Sequence, residues 1–138
     1  MHRNPDRPMS PHLTVWKWGP HMLVSILHRV TGAGLALVGG IAFVLWLLAV
    51  ADGPEAYDGF LDMLTVESGA LNIAGYLLGI GLTWAFFQHM LSGLRHLVMD
   101  IGAGFELSTN KFWATMTVVG AIILTIALWA WILFGRGA

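Results

Sequence analysis

The chain has 138 residues, 57% of them hydrophobic and 11% charged, with a formal net charge of -1 and no cysteine. So little polar surface excludes an ordinary water-soluble domain, and near-neutrality without an arginine-rich segment argues against a nucleic-acid partner. Without a thiol there is no self-contained iron–sulfur cluster, thiolate-ligated haem, disulfide scaffold or catalytic cysteine, which leaves histidine-ligated haem among the redox cofactors.

Residues 1–19 read as a polar, proline-rich cytoplasmic or interfacial segment. They lack the apolar core and small-residue cleavage site of a signal peptide. Trp16, Lys17 and Trp18 suit the headgroup region, where an indole presents one wet edge and one apolar face. Pro20 suits a first helical position, where its missing N–H would be unbonded anyway. A first helix is therefore predicted over about residues 20–51, with Ser25 at helical spacing from His28 and Arg29. Arg29, flanked by apolar residues, either snorkels to the headgroups or has a specific partner.

Charge-free gaps define the membrane spans. Val30–Ala51 is 22 residues, Ser68–Leu94 is 27 and Phe112–Gly135 is 24. Each exceeds the ~20 residues that cross a bilayer core, so the fold class is an all-α membrane protein with three transmembrane helices, the later two over about residues 68–98 and 111–135. Placing Arg3, Arg7, Lys17, Arg29, Arg95 and Lys111 on one side leaves only Arg136 on the other. The positive-inside rule then puts the N-terminus in the cytoplasm and the C-terminus in the periplasm. Asp52, Glu55, Asp58, Asp62 and Glu67, with no Lys or Arg among them, read as a loop on the periplasmic side. Gly32, Gly34, Gly39 and Gly40 in the first span, and Gly75 and Gly79 in the second, allow close approach of another backbone or of a flat cofactor. The third span carries no ionisable group, and its Trp129 and Trp131 read as an interfacial belt.

The chemistry concentrates in WAFFQHMLSGLRHLVMD, residues 84–100. On a helix, His89, Gly93, His96 and Asp100 share one face, and Arg95 points somewhat to its side. His89 lies about two turns, ~10 Å, from His96 and so below the headgroups, where an imidazole needs a partner or a job. One reading is a packing histidine bonded to Gln88, a serine or a neighbouring helix. The other is an axial ligand of haem iron, with Gly93 clearing the porphyrin edge and Arg29, Arg95 and His28 near the propionates. His28 is the sole other internal histidine, so a bis-histidine site draws its second ligand most simply from another polypeptide.

RPMSPHL (7–13) leading into SILHRVTG (25–32), and HMLSGLRHLVMD (89–100) with the pattern H-x3-G-x-R-H-x3-D, resemble the cytochrome b556 membrane-anchor family of succinate dehydrogenase, respiratory complex II. The likeness covers essentially the whole chain. It implies that His89 is an axial ligand of haem b shared with a companion small anchor subunit, within a heteromeric helix bundle. It implies that Ser25 and Arg29 contribute to a ubiquinone site beside the iron–sulfur subunit. His28, Arg29 and His96 then correspond to positions near the haem propionates. With no cysteines and no strand–GxGxxG–helix unit, succinate oxidation falls to partner subunits, a flavoprotein and an iron–sulfur protein. The family motif beginning at Arg7 leaves no room for a transit peptide, which favours a bacterial inner membrane over the mitochondrial one. Two other readings are an anchor of a quinol:fumarate reductase, and a structural or transport membrane protein without haem.

Overall fold

A computed structural model describes residues 18–135 of the chain. The RPMSPHL motif, Trp16, and the topology-setting Arg3, Arg7, Lys17 and Arg136 lie outside the described residues.

The first membrane helix runs from Pro20 to Asp52 in three pieces: α1 (Pro20–Gly34), a π-helical turn over Leu35–Gly39, and α2 (Gly40–Asp52). Pro20 opens α1 as its type requires, after an extended Gly19 whose carbonyl accepts from the Met22 N–H at 3.0 Å. Glycines bracket the π-helical turn, and Gly39 comes against Leu82 of the next long helix, where a Cβ would find a methyl carbon at 3.5 Å. Apart from Ala49, α2 buries nothing. Its leucines, valines, phenylalanine and tryptophan face outward, as in a helix bathed by lipid or by another subunit.

Gly53, with a φ of 104°, breaks the chain, and Pro54 opens α3 (Pro54–Asp62) immediately after it. The acidic stretch read as a loop therefore contains a short helix packed on α2, with Glu55, Asp58 and Asp62 exposed and Ala56, Phe60 and Leu61 partly covered. At nine residues it is too short to carry a periodicity distinguishable from a loop by sequence. A turn closed by a Thr65–Leu71 bridge leads to Asn72, whose Oδ1 accepts from the Gly75 N–H at 2.9 Å while its Nδ2 donates to the Met63 carbonyl at 3.0 Å. That cap starts α4 (Ile73–Asp100) at residue 73, five residues after the predicted start near 68. Gly102 and Gly104, both at positive φ, form the turn into α5 (Leu107–Phe134).

The three long helices are each long and apolar enough to cross a membrane. They pack with α4 against both α1 and α5. The shared interior is lined by small and polar groups: Val24 and Thr31 from α1, Ala85, Gln88 and Ser92 from α4, and Ala114, Thr117, Ala121 and Thr125 from α5. Without a hydrophobic driving force between helices in lipid, association rests on such close contact. Trp129 takes part in it. Its Nε1–H donates to Thr83 Oγ1 at 3.3 Å, and its ring lies over Gly79, where a Cβ would come within 2.8 Å. Trp131 is exposed, as a belt residue would be.

Candidate functional site

Packing α1 against α4 brings three imidazoles together. His28 of α1 stacks on His89 of α4 with ring centroids 3.9 Å apart and planes 7° from parallel. His96, two turns further along α4, meets His28 edge-on at 5.2 Å. The rings line up one against the next and do not converge on a point, and among the described residues no group of three or more His, Cys, Asp or Glu is arranged to hold a metal ion.

His89 is oriented by α1. Its Nδ1 lies 3.1 Å from the carbonyl oxygen of His28 and 3.4 Å from Thr31 Oγ1. A carbonyl only accepts, so Nδ1 carries the proton and donates it. The Thr31 hydroxyl already donates to the Leu27 carbonyl at 2.7 Å, which leaves its oxygen as a second acceptor for the same N–H. With Nδ1–H engaged, Nε2 is the nitrogen that carries the lone pair in the neutral ring, and it has no hydrogen-bond partner among the described residues. An imidazole tied through one nitrogen to a backbone carbonyl and free at the other is the arrangement that metal-ligating histidines use, because the tie fixes both tautomer and ring direction.

Gly32 makes this contact possible. A Cβ there would stand 2.8 Å from His89 Cε1 and 3.3 Å from its Nδ1. Gly93, the glycine singled out in the sequence for clearance, is less tightly placed: a Cβ would meet His28 at 3.9 Å, an ordinary contact. Sequence reasoning put Gly32 among the general packing glycines and gave Thr31 no role. The signal was present, since both residues stand one turn beyond His28 in SILHRVTG, but which of several glycines meets a ring depends on how two helices cross.

Ser25 and Arg29 stand one turn apart on the exposed face of α1 and bond to nothing among the described residues. They stand on either side of His28 along α1. Arg95 goes elsewhere. Its guanidinium donates to Asn110 Oδ1 of α5 at 2.8 Å and lines a groove between α4 and α5, so it does not join the imidazoles as expected. The reason is angular: successive residues on a helix diverge by about 100°, and with His96 turned towards α1, Arg95 is turned towards α5. Gln88, a candidate partner for His89, is fully buried, and neither of its amide atoms has a partner among the described residues; nor does the fully buried Ser92 hydroxyl.

Residues 3–128 match the family model described as succinate dehydrogenase/fumarate reductase transmembrane subunit. Among curated proteins, the chain is 31% identical to the succinate dehydrogenase cytochrome b556 subunit of Rickettsia conorii, over 89% of this chain and 90% of that one. It is 32% identical to the corresponding subunit of Paracoccus denitrificans, over 88% of each. To the mitochondrial succinate dehydrogenase cytochrome b560 subunit of Mus musculus it is 34% identical, over 88% of this chain and 66% of that one. An all-helical chain with three membrane-length helices, matched over nearly its whole length, belongs to the transmembrane-subunit family of succinate dehydrogenase and fumarate reductase.

Proposed function

We propose that this chain is the cytochrome b anchor of a succinate:quinone oxidoreductase, in which His89 Nε2 is one axial ligand of a haem b. The observation that carries this reading is the tie from His89 Nδ1 to the His28 carbonyl at 3.1 Å, which leaves Nε2 as the ligating nitrogen of the neutral ring and fixes the ring's direction from a helix it does not belong to. The donor set fits an axial position: one neutral imidazole with a free nitrogen, in a membrane helix, with two further imidazoles beside it. Among the described residues a single imidazole is held in this way, and the second ligand is assigned to a companion small anchor subunit. His28, His96 and Arg29 offer positive or hydrogen-bonding groups for the propionates. Arg95, bonded to Asn110 on the far side of α4, is left out of that set. When bound, the haem supplies a one-electron store.

Ser25 and Arg29 form the ubiquinone site of this reading. Both are exposed on one face of α1, and neither has its donors committed within the described chain. Arg29 orients and polarises a quinone carbonyl, Ser25 donates a hydrogen bond to it, and the fixed guanidinium charge stabilises negative charge developing on that oxygen. Electrons arrive from a flavoprotein through an iron–sulfur subunit, and the complex sits in a bacterial inner membrane with this chain's N-terminus in the cytoplasm. Both curated bacterial relatives carry the name succinate dehydrogenase, which favours that direction over fumarate reduction.

The test is a reduced-minus-oxidised spectrum of the purified complex. A haem b band is expected, and His89→Ala should abolish or shift it; a band unchanged in that variant overturns the ligand assignment. Arg29→Leu should lower quinone reduction on the order of a hundredfold, and Ser25→Ala should lower it less, while dye-linked succinate oxidation persists. Equal loss of both activities would remove the quinone role from α1.

A further inference from the structure

Among the described residues, Arg95 is the one charged side chain lining a groove of about 350 Å³ between α4 and α5. The rest of the lining is mainly apolar, with Leu94, Val98, Trp113 and Met116 forming its walls. A guanidinium has five N–H donors, and the only hydrogen bond Arg95 makes among the described residues is the 2.8 Å contact to Asn110 Oδ1. No acidic residue among the described ones lines the groove. The site lies near the α4–α5 turn, since α4 ends at Asp100 and α5 begins at Leu107. Five residues from the end of a helix is about 7.5 Å of rise, which sets the guanidinium at the boundary between headgroups and acyl chains. A cation held there against apolar walls, with most of its donors unmatched, lacks an acceptor of opposite charge.

From this geometry we infer that the α4–α5 groove binds one anionic phospholipid, its phosphate on Arg95 and the first part of an acyl chain along Leu94, Val98 and Met116. A volume near the lower end of ligand cavities, ~300–1,000 Å³, admits the phosphate-proximal part of a lipid and leaves the remaining chain in the bilayer. The Arg95–Asn110 bond acts as the positioning contact: Asn110 Nδ2 donates in turn to the Gly104 carbonyl at 3.3 Å, which anchors the guanidinium to the turn. Charge complementarity selects the occupant, because a neutral quinone or a zwitterionic lipid would leave the guanidinium without a net counter-charge. This inference stands apart from the haem and quinone assignments, which involve the α1 side of α4.

The experiment is native mass spectrometry of the intact purified complex, delipidated and reloaded with phosphatidylglycerol or phosphatidylcholine of matched chains. Phosphatidylglycerol adducts should be retained about fivefold better than phosphatidylcholine adducts, since both present a phosphate to Arg95 and only the choline ammonium offsets its charge. Arg95→Gln should remove that preference. Met116→Trp, which fills the groove and leaves the cation and Asn110 untouched, should remove it too, and so guards against misfolding of the arginine variant. Asn110→Ala, which removes the positioning bond but keeps the charge, should weaken the preference only in part. Equal retention of the two lipids, an unaltered preference in both Arg95→Gln and Met116→Trp, or a groove filled by a polypeptide segment or a quinone in a structure of the complex would each overturn the assignment.

Discussion

Substituting Gly32→Ala asks whether α1 aims His89. The added Cβ would stand 2.8 Å from His89 Cε1, while ordinary contact begins at 3.4 Å, so the ring must retreat by about 0.6 Å (3.4 − 2.8). It is not free to do so, because it is stacked 3.9 Å from His28 and bonded at 3.1 Å to the His28 carbonyl. Overpacking of this kind costs about 1–3 kcal/mol. Alanine in place of a helical glycine returns roughly 0.5–1 kcal/mol, so the net effect on folding is small. The ring's direction is therefore the better readout. In the purified complex, Gly32→Ala should shift the electron paramagnetic resonance g-values of the oxidised haem and accelerate haem loss on detergent challenge. Gly34→Ala is the control, since a Cβ there meets no atom of this chain within 4 Å, and it should change neither. If Gly32→Ala gave g-values and haem retention indistinguishable from the unsubstituted complex, the tie between α1 and His89 would not be what directs the ring.

Two further substitutions test the packing that supports the site. Gly79→Ala places a Cβ 2.8 Å from the Trp129 ring, which is itself bonded to Thr83; after the gain of alanine over a helical glycine, thermal unfolding of the complex in nanodiscs should reveal a net loss of up to about 2.5 kcal/mol. Unchanged stability would mean that the α4–α5 contact relaxes freely there. Gln88 is fully buried with both amide atoms unpaired among the described residues, and leaving such atoms unpaired costs about 1–3 kcal/mol. Gln88→Leu should therefore leave stability unchanged or raise it in the same assay, whereas a clear loss would reveal a partner that the isolated chain does not supply.

The membrane class, the number of spans and their approximate positions were legible because they depend on composition and length, which the chain carries residue by residue. The same holds for Pro20 as a helix start and for the imidazole-bearing face of α4, which follow from local backbone rules. What depended on the crossing of helices was not legible. Trp129 near the end of an apolar run reads as an interfacial anchor, and nothing in the run shows that its ring packs over Gly79. Arg95 and His96 are neighbours in sequence, yet one is bonded to α5 and the other meets α1. Gly93 drew attention through its spacing, but Gly32 is the glycine against which His89 is packed. In each case the sequence by itself determined which side chains were available at a given depth in the membrane. Only the tertiary structure decided which of them meet, because the angle and register between two helices set contacts on a scale of a few tenths of an ångström, finer than any periodicity of 3.6 residues resolves.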